Sequence, residues 1–285
     1  MPEYPEVTVV TNSLRESLIN QKIIKVKISL AKLIKNIDTK EFERNIINKQ
    51  IIKVENIGKF IQITLEDETR IISHLRMSGK FYVGSLSDET HLLHQKHNYV
   101  FFYLDNQKIV AYNDARQFGG FELVLNNDKR SLYEIKKLAK LPKDVDTLKL
   151  HQKLLKKNIS IKSVLLDQSL VLGIGNIYAD EALYQAKVHP MTKCNLVTIS
   201  ELNKILNAAQ EIMDASILAG GSSVHTYQSV NDAKGTFQEQ LKVYGKANTL
   251  CQRCKNTKLI KVRLDYKPNG RGTTFCPQCQ IEKMK

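Results

Sequence analysis

Apolar residues Val7, Val10, Leu14 and Leu18 recur at helical spacing, and Pro5 suits a first turn, so residues 5–20 are predicted to form an amphipathic helix. From 22 to about 125 the pattern changes to short β-rich runs: KIIKVKISL, QIIKVENI, FIQITLE, RIISHL, YVFFYL, KIVAYN and GFELVL. Gly, Asn and Asp punctuate several of them, which predicts a β-sandwich or barrel. Residues 84–98 read as a surface loop between strands. Beyond about 130 the period is helical. SLYEIKKLAK runs toward a stop at Pro142, helical pieces fill 147–168, and a helix from about Asn176 to Lys187 follows a glycine turn. The clearest helix spans 200–218, with Ser200 as N-cap and Leu202, Ile205, Leu206, Ala209, Ile212, Met213 and Ile217 on one face. Gly220-Gly221 ends it, and 221–243 is polar and loop-like.

A chain of 285 residues exceeds one typical domain, so an α+β protein of two domains is expected, the second carrying an appendage. At 42% hydrophobic and 25% charged it has the composition of an ordinary soluble globular protein. The net charge of +14 changes the picture, because it points to a polyanion, most commonly nucleic acid. Residues 242–285 hold 11 Lys and Arg against only Asp265 and Glu282. The chain lacks an apolar run long enough to span a bilayer, and MPEYPEVTVV is not a signal peptide. A cytoplasmic location follows as an expectation, and there paired cysteines bind metal more often than they form disulfides.

Cys251-x-x-Cys254 and Cys276-x-x-Cys279 are two knuckles at a spacing that closes a tetrahedral thiolate shell around one structural Zn2+. With four protein thiolates, no position remains for a catalytic water. Cys194 stands alone and is expected to be a small buried hydrophobe. Between the knuckles, Gly270-Arg271-Gly272 exposes one guanidinium suited to clamp a phosphate. Gly173-Ile174-Gly175-Asn176 precedes a helix and follows Lys156, Lys157 and Lys162, which suggests a backbone-phosphate site. At the other end, Met1-Pro2-Glu3 invites removal of the initiator methionine. The exposed secondary amine of Pro2 would be less basic than a lysine and more nucleophilic at neutral pH, with Glu3 beside it to move protons.

Taken in order, these segments resemble the formamidopyrimidine-DNA glycosylase family over nearly the whole chain. MPEYPEV is similar to the family's opening, HLRMSGKF at 74–81 to its H-L-x-M-S-G strand, and DARQFGGF at 114–121 to its D-x-R-x-F-G loop. LVLGIGNIYADEAL at 170–183 resembles its helix-two-turn-helix, and GRGTTFCPQCQ its zinc finger. The resemblance implies a catalytic β-sandwich domain at 2–128, a helix-two-turn-helix domain with a lesion-capping loop at 129–244, and a zinc finger at 245–285. It implies a bacterial base-excision-repair enzyme, monomeric and bound to the nucleoid through damaged double-stranded DNA, that excises 8-oxoguanine and formamidopyrimidines and cuts the strand by β,δ-elimination. Pro2 is then the Schiff-base nucleophile, Glu3 the proton donor for base release, Lys59 the donor in β-elimination and Arg271 a phosphate clamp that assists δ-elimination. Glu6 organises the first helix, and His97, Lys157, Asn158, Lys162 and Asn176 contact DNA.

A base inside a duplex must be flipped out before its C1′ can be attacked, and something must fill the gap. By the resemblance, Met77, Arg116 and Phe118 do so, although on pattern alone Met77 and Phe118 read as core residues. The chain departs from the family at Ala115 and Gln117, within the D-x-R-x-F-G loop, and at Asn158, where a lysine is common. Two readings stand beside this one: an endonuclease-eight-type glycosylase for oxidised pyrimidines, and a catalytically silent DNA-binding relative.

Overall fold

The structure, a computed structural model, describes residues 2–223 and 229–283. The chain divides into two compact units, one running to Ser131 and including Ala219–Gln238, the other made of Leu132–Leu218 and the segment from Glu239 onward. Segment 219–238 thus belongs with the first unit although it follows the helices of the second along the chain.

The first unit opens with helix α1 (Tyr4–Leu18), which buries Val7, Val10, Leu14 and Leu18 as expected. Strands β1 (Ile23–Ile28), β6 (Asn98–Leu104), β7 (Lys108–Asp114) and β5 (Gly79–Ser85) form one antiparallel sheet in that order. Strands β2 (Ile51–Ile57), β3 (Phe60–Leu65), β4 (Arg70–His74) and β8 (Gly120–Val124) form the other. The inner faces share one core with α1: Val26, Val100, Phe102 and Tyr112 from the first sheet, Val54, Ile61, Ile71 and Phe121 from the second. Phe121 sits at its centre, with ring centroids of Tyr112 and Phe102 at 4.9 and 5.3 Å. Helix α2 (Thr39–Ile46) adds Phe42 and Ile46.

Strands β6 and β7 are buried almost throughout and do not alternate, because the outer face of their sheet is covered as well. Residues 84–98 are not a plain loop. Helix α3 (Glu89–His94) lies within them and sets Leu92 against Tyr82, Phe101, Tyr103 and Ile109. A six-residue helix is too short to show a period in sequence, and its stability comes from that packing.

The second unit is helical: α4 (Leu132–Lys136), α5 (Thr147–Leu154), α6 (Ile161–Leu166), α7 (Asn176–Ala186) and α8 (Ile199–Leu218). The cap of α8 is not Ser200. Thr198 accepts from the Glu201 N–H at 3.2 Å, and Glu201 accepts from the Thr198 N–H at 2.8 Å, a reciprocal capping box that places Ser200 inside the helix. Ile212 and Ile217 are only half-buried, whereas Leu202, Ile205, Leu206, Ala209 and Met213 are buried. Cys194 is fully buried, as expected of a small hydrophobe. The tail forms a two-stranded ribbon, β9 (Ile260–Arg263) with β10 (Gly272–Phe275). Among the described residues, no helix is long and apolar enough to cross a membrane.

Candidate active site and nucleic-acid interface

Pro2 and Glu3 are buried at the head of α1. Pro5 holds the first turn, and Glu3 and Glu6 form a reciprocal capping box. The carboxylate of Glu6 does more than cap. Its Oε2 accepts from the Glu3 N–H at 2.9 Å and its Oε1 from the Ser222 N–H at 2.9 Å, so one buried side chain ties the chain's start to segment 219–238. Lys59 is also buried, on the tight turn between β2 and β3, where Gly58 takes φ 58°. That turn is fastened to α1 as well: the Asn56 amide donates to Thr8 Oγ1 at 2.9 Å and to the Gly58 carbonyl at 3.4 Å. Neither Asn56 nor Ser222 was visible in sequence as a site residue, because Asn56 acts through a turn that only the fold brings to α1 and Ser222 through its backbone N–H.

A second cluster stands on the loops after β4 and β7. A cleft of about 840 Å³ is lined by Met77, Lys80, Lys96, His97, Arg116 and Lys234 among others. Its far wall belongs to segment 219–238, through Ser223, Lys234 and Gln238. Met77 is half-buried and Phe118 is 54% exposed, so neither is a core residue. The Arg116 guanidinium lies 4.8 Å from the Phe118 ring centroid, a cation–π contact at the surface.

The loop bearing Arg116 and Phe118 is organised by Asp114, which is completely buried. Its Oδ2 accepts from the Gly119 N–H at 2.8 Å and its Oδ1 from the Arg116 N–H at 3.2 Å and from the Ser78 hydroxyl. One carboxylate therefore joins the 114–119 loop to the turn that carries Met77. Gly119 has to be glycine, since a Cβ there would lie 2.0 Å from the Tyr112 hydroxyl and 2.6 Å from the His74 carbonyl. The departure at Gln117 is explained: its amide donates to the Tyr99 hydroxyl at 2.9 Å, and that hydroxyl also meets His97 Nδ1 at 3.2 Å. Ala115 is exposed, and nothing in the structure explains it. Replacing Asp114 by alanine is expected to cost about 1–3 kcal/mol, the cost of leaving buried N–H donors without an acceptor, and to weaken DNA binding together with stability. Denaturant unfolding and a binding titration check this; a variant of normal stability would contradict the organising role.

In the second unit, Asn176 and Arg271 come together although nearly a hundred residues separate them. The Asn176 amide nitrogen at the start of α7 donates to the Gly272 carbonyl at 3.0 Å, next to the exposed Arg271. The glycine turn before α7 is built by Gln168, which donates to the Ile174 carbonyl at 2.9 Å and accepts from the Gly173 N–H at 2.9 Å. Lys157 and Asn158 are exposed after α5. Lys162 requires correction as a DNA contact, because its side chain is fully buried. Its ammonium is paired with Asp180 at 2.6 Å and bonded to Thr273 Oγ1 and the Gly272 carbonyl at 3.0 and 3.1 Å. It fixes the ribbon strand from inside and has no surface to offer a phosphate.

The four ribbon thiols lie within 4.8 Å of one another, with Cys251–Cys279 and Cys254–Cys276 separations of 3.9 and 3.7 Å. Sulfurs bound ~2.3 Å from one tetrahedral ion sit ~3.8 Å apart, whereas a disulfide needs ~2.05 Å. The donor set thus fits a metal ion. The Tyr184 hydroxyl meets Cys251 Sγ at 3.2 Å, and Arg253 stacks 4.1 Å from the Tyr184 ring centroid, so the cluster is braced from α7. The lesion-capping loop expected at 221–240 is described in part; residues 224–228 lie outside the described residues.

Comparison with known proteins adds to this geometry. A family model described as the formamidopyrimidine-DNA glycosylase N-terminal domain matches residues 1–121, and one described as the formamidopyrimidine-DNA glycosylase H2TH domain matches 139–228. The chain is 40% identical to a formamidopyrimidine-DNA glycosylase of Mycoplasmopsis pulmonis, covering 99% of each chain. It is 38% identical to that of Ureaplasma parvum, covering 98% of this chain and 100% of the other. Among solved structures, a Lactococcus lactis FPG variant in complex with DNA containing Fapy-dG superposes with a TM-score of 0.89 at 33% identity, covering 99% of this chain and 100% of that one. A MutM complex with DNA containing carbocyclic 8-oxo-G gives 0.88 at 32%, with the same coverage.

Proposed function

The chain belongs to the formamidopyrimidine-DNA glycosylase family and is a base-excision-repair glycosylase for oxidised purines with AP lyase activity, and we propose that the amine of Pro2 carries both reactions. The observation that carries this assignment is the Glu6 carboxylate, which holds Glu3 at the head of α1 and Ser222 at the base of the cleft wall in one hydrogen-bonded unit.

With Met1 removed, the neutral secondary amine of Pro2 attacks C1′ of a nucleotide extruded from the duplex. The C1′–N bond to the base breaks as Glu3 supplies the proton that the departing purine takes. The bound amine then loses its proton, the C1′–O4′ bond opens with O4′ taking a proton, and a ring-opened C1′ iminium is left on Pro2. Loss of a C2′ proton then expels the 3′ phosphate, with Lys59 serving the proton transfers. Loss of a C4′ proton expels the 5′ phosphate, assisted by the charge of Arg271. Water releases the sugar fragment and regenerates the amine. Met77, Arg116 and Phe118 fill the gap left in the stack, and the cleft beside them receives the nucleotide. His97, Lys157, Asn158, Asn176 and Arg271 grip the backbone in this reading. The ion that fits the four thiols is proposed to be Zn2+. Bound there, it holds the ribbon together and takes no part in the reaction, since four thiolates leave no open position.

Borohydride trapping on a duplex with 8-oxoguanine opposite cytosine, followed by mass mapping, tests the assignment. A covalent adduct on Pro2 is expected. Trapping only on an oxidised-pyrimidine duplex would move the substrate class. Absence of an adduct on either, from protein shown to lack Met1 and to bind the DNA, would refute the nucleophile.

A further inference from the structure

Asn231 and Asp232 stand on segment 219–238, in the first unit. Both are left-handed, with φ of 55° and 60°. Asn and Asp enter that region more readily than other side chains do, yet two in succession must be held there. What holds them is β5, the last strand of its sheet. An edge strand presents backbone groups with no ladder partner. Asn231 supplies one with its carboxamide: Oδ1 accepts from the Val83 N–H at 2.8 Å, and Nδ2 donates to the Val83 carbonyl at 3.0 Å. Asp232 reaches the outer face of the same strand. Its Oδ1 accepts from the Lys80 ammonium at 2.7 Å, and its two oxygens lie 3.1 and 3.0 Å from the Tyr82 hydroxyl. Lys80 also rests 5.0 Å from the Tyr82 ring centroid. Tyr82 itself is anchored in the small cluster under α3, so the clasp ends on a rigid floor.

The segment is pinned at its other end too. Ser222 binds Glu6, the Ser223 N–H donates to Gln238 Oε1 at 2.8 Å, and the Gly235 N–H donates to Ser223 Oγ at 2.9 Å. Ser223 and Gln238 of this anchor, together with Lys234, form one wall of the cleft. Asp232 brings a carboxylate to Lys80, which lines the cleft together with the basic side chains of Lys96, His97, Arg116 and Lys234. A polyanion-binding surface gains nothing from a carboxylate as such, so its value lies in what it fastens.

We infer that Asp232, gripped by Lys80 and Tyr82, is a positioning residue that sets the 229–238 wall of the cleft for excision of the damaged base. This rests on the function proposed above. A wall that encloses a base matters while a base is present. It does not matter when the nucleotide is already abasic and only elimination remains.

The experiment compares two duplexes, one with 8-oxoguanine opposite cytosine and one with a preformed abasic site, under single-turnover conditions with full-length metal-loaded protein. Asp232→Ala is expected to lower the single-turnover rate constant for 8-oxoguanine excision about five- to tenfold, with the half-saturating enzyme concentration and abasic-site cleavage changed less than twofold. Asn231→Ala is expected to show the same split. The exchange of charges, Lys80→Asp with Asp232→Lys, is expected to recover most of the excision lost in Asp232→Ala, because the Tyr82 hydroxyl can accept from a lysine as readily as it donates to a carboxylate. Thermal unfolding of each variant within two degrees of the wild type keeps a folding defect apart from a positioning one. Unchanged excision in Asp232→Ala, an equal loss on both duplexes, or no recovery in the exchanged pair would each overturn the inference. A wild-type protein that cuts neither duplex would bring down the functional reading, and the inference with it, whereas normal wild-type cutting with an unsplit variant rejects the clasp alone.

Discussion

Glu3→Gln is expected to reduce release of 8-oxoguanine about 10²- to 10⁴-fold, the range over which a positioned general acid acts, while strand cleavage at a preformed abasic site stays close to wild type. The amide can still accept a hydrogen bond, so the capping box at the head of α1 survives. The Glu3 backbone N–H that binds Glu6 is unaltered, and the tie to Ser222 remains. What is lost is a proton that can be given away. An abasic site has no base to release, so it bypasses the defect and reports on the Pro2 amine alone. Single-turnover rates on the two duplexes, with borohydride trapping on the abasic one, measure the contrast. If both rates fell together, Glu3 would be shaping the helix start and not serving as proton donor.

Lys162→Met is expected to destabilise the second unit by about 3–5 kcal/mol, the cost of stranding one member of a buried ion pair. Asp180 is left with the Thr274 N–H at 2.9 Å as a hydrogen-bond donor but without a cation. In the native protein burial already lifts the Asp180 carboxyl to about 6, above the ordinary carboxylate value of 3.8, against the opposing pull of Lys162. A raised carboxyl binds its proton more tightly in the folded state, so its favourable contribution is complete below about pH 4 and is lost as pH rises through 6. Without Lys162 the folded value climbs further. The variant's deficit should therefore be larger at pH 8 than at pH 5, by urea unfolding. Replacing both partners, Lys162→Met with Asp180→Leu, should cost less than Lys162→Met alone. A double variant weaker than the single one would show that Asp180 contributes more through Thr274 than through its lysine.

The long helices were legible because their apolar positions repeat at 3.6 residues, and the strands because they are short β-branched and aromatic runs punctuated by turn residues. Helix α3 was not, since six residues hold no period and Leu92 is buried by Tyr82 and Phe101 of distant strands. Ser200 was the wrong cap because several candidates preceded the apolar face, and only the reciprocal bond of Thr198 with Glu201 selects among them. Of the candidate site residues, Pro2 and Glu3 lie buried at the head of α1, Met77, His97 and Arg116 line one cleft, Phe118 is exposed beside it, and Asn176 starts α7. Lys162 misled for a physical reason. A lysine in a basic helical stretch is usually solvated, and nothing short of the fold reveals that Asp180 and the Gly272 carbonyl take it inside. Asp114, Gln168 and Asn56 escaped because each serves backbone groups, which is a property of the turn and not of the residue, and Ser222 escaped because it takes part through its own N–H.

Segment 219–238 belongs to the first unit but follows the helices of the second along the chain. A ribosome must therefore deliver residue 238 before the first unit is whole, with the helical segment already outside the tunnel. Until then Glu6 lacks the Ser222 N–H and the edge of β5 lacks Asn231. The β-sandwich can collapse on its own hydrophobic faces, but the wall of its cleft arrives last. A truncated protein ending at Ser131 would thus be expected to retain a core whose cleft lacks the wall of Ser223, Lys234 and Gln238.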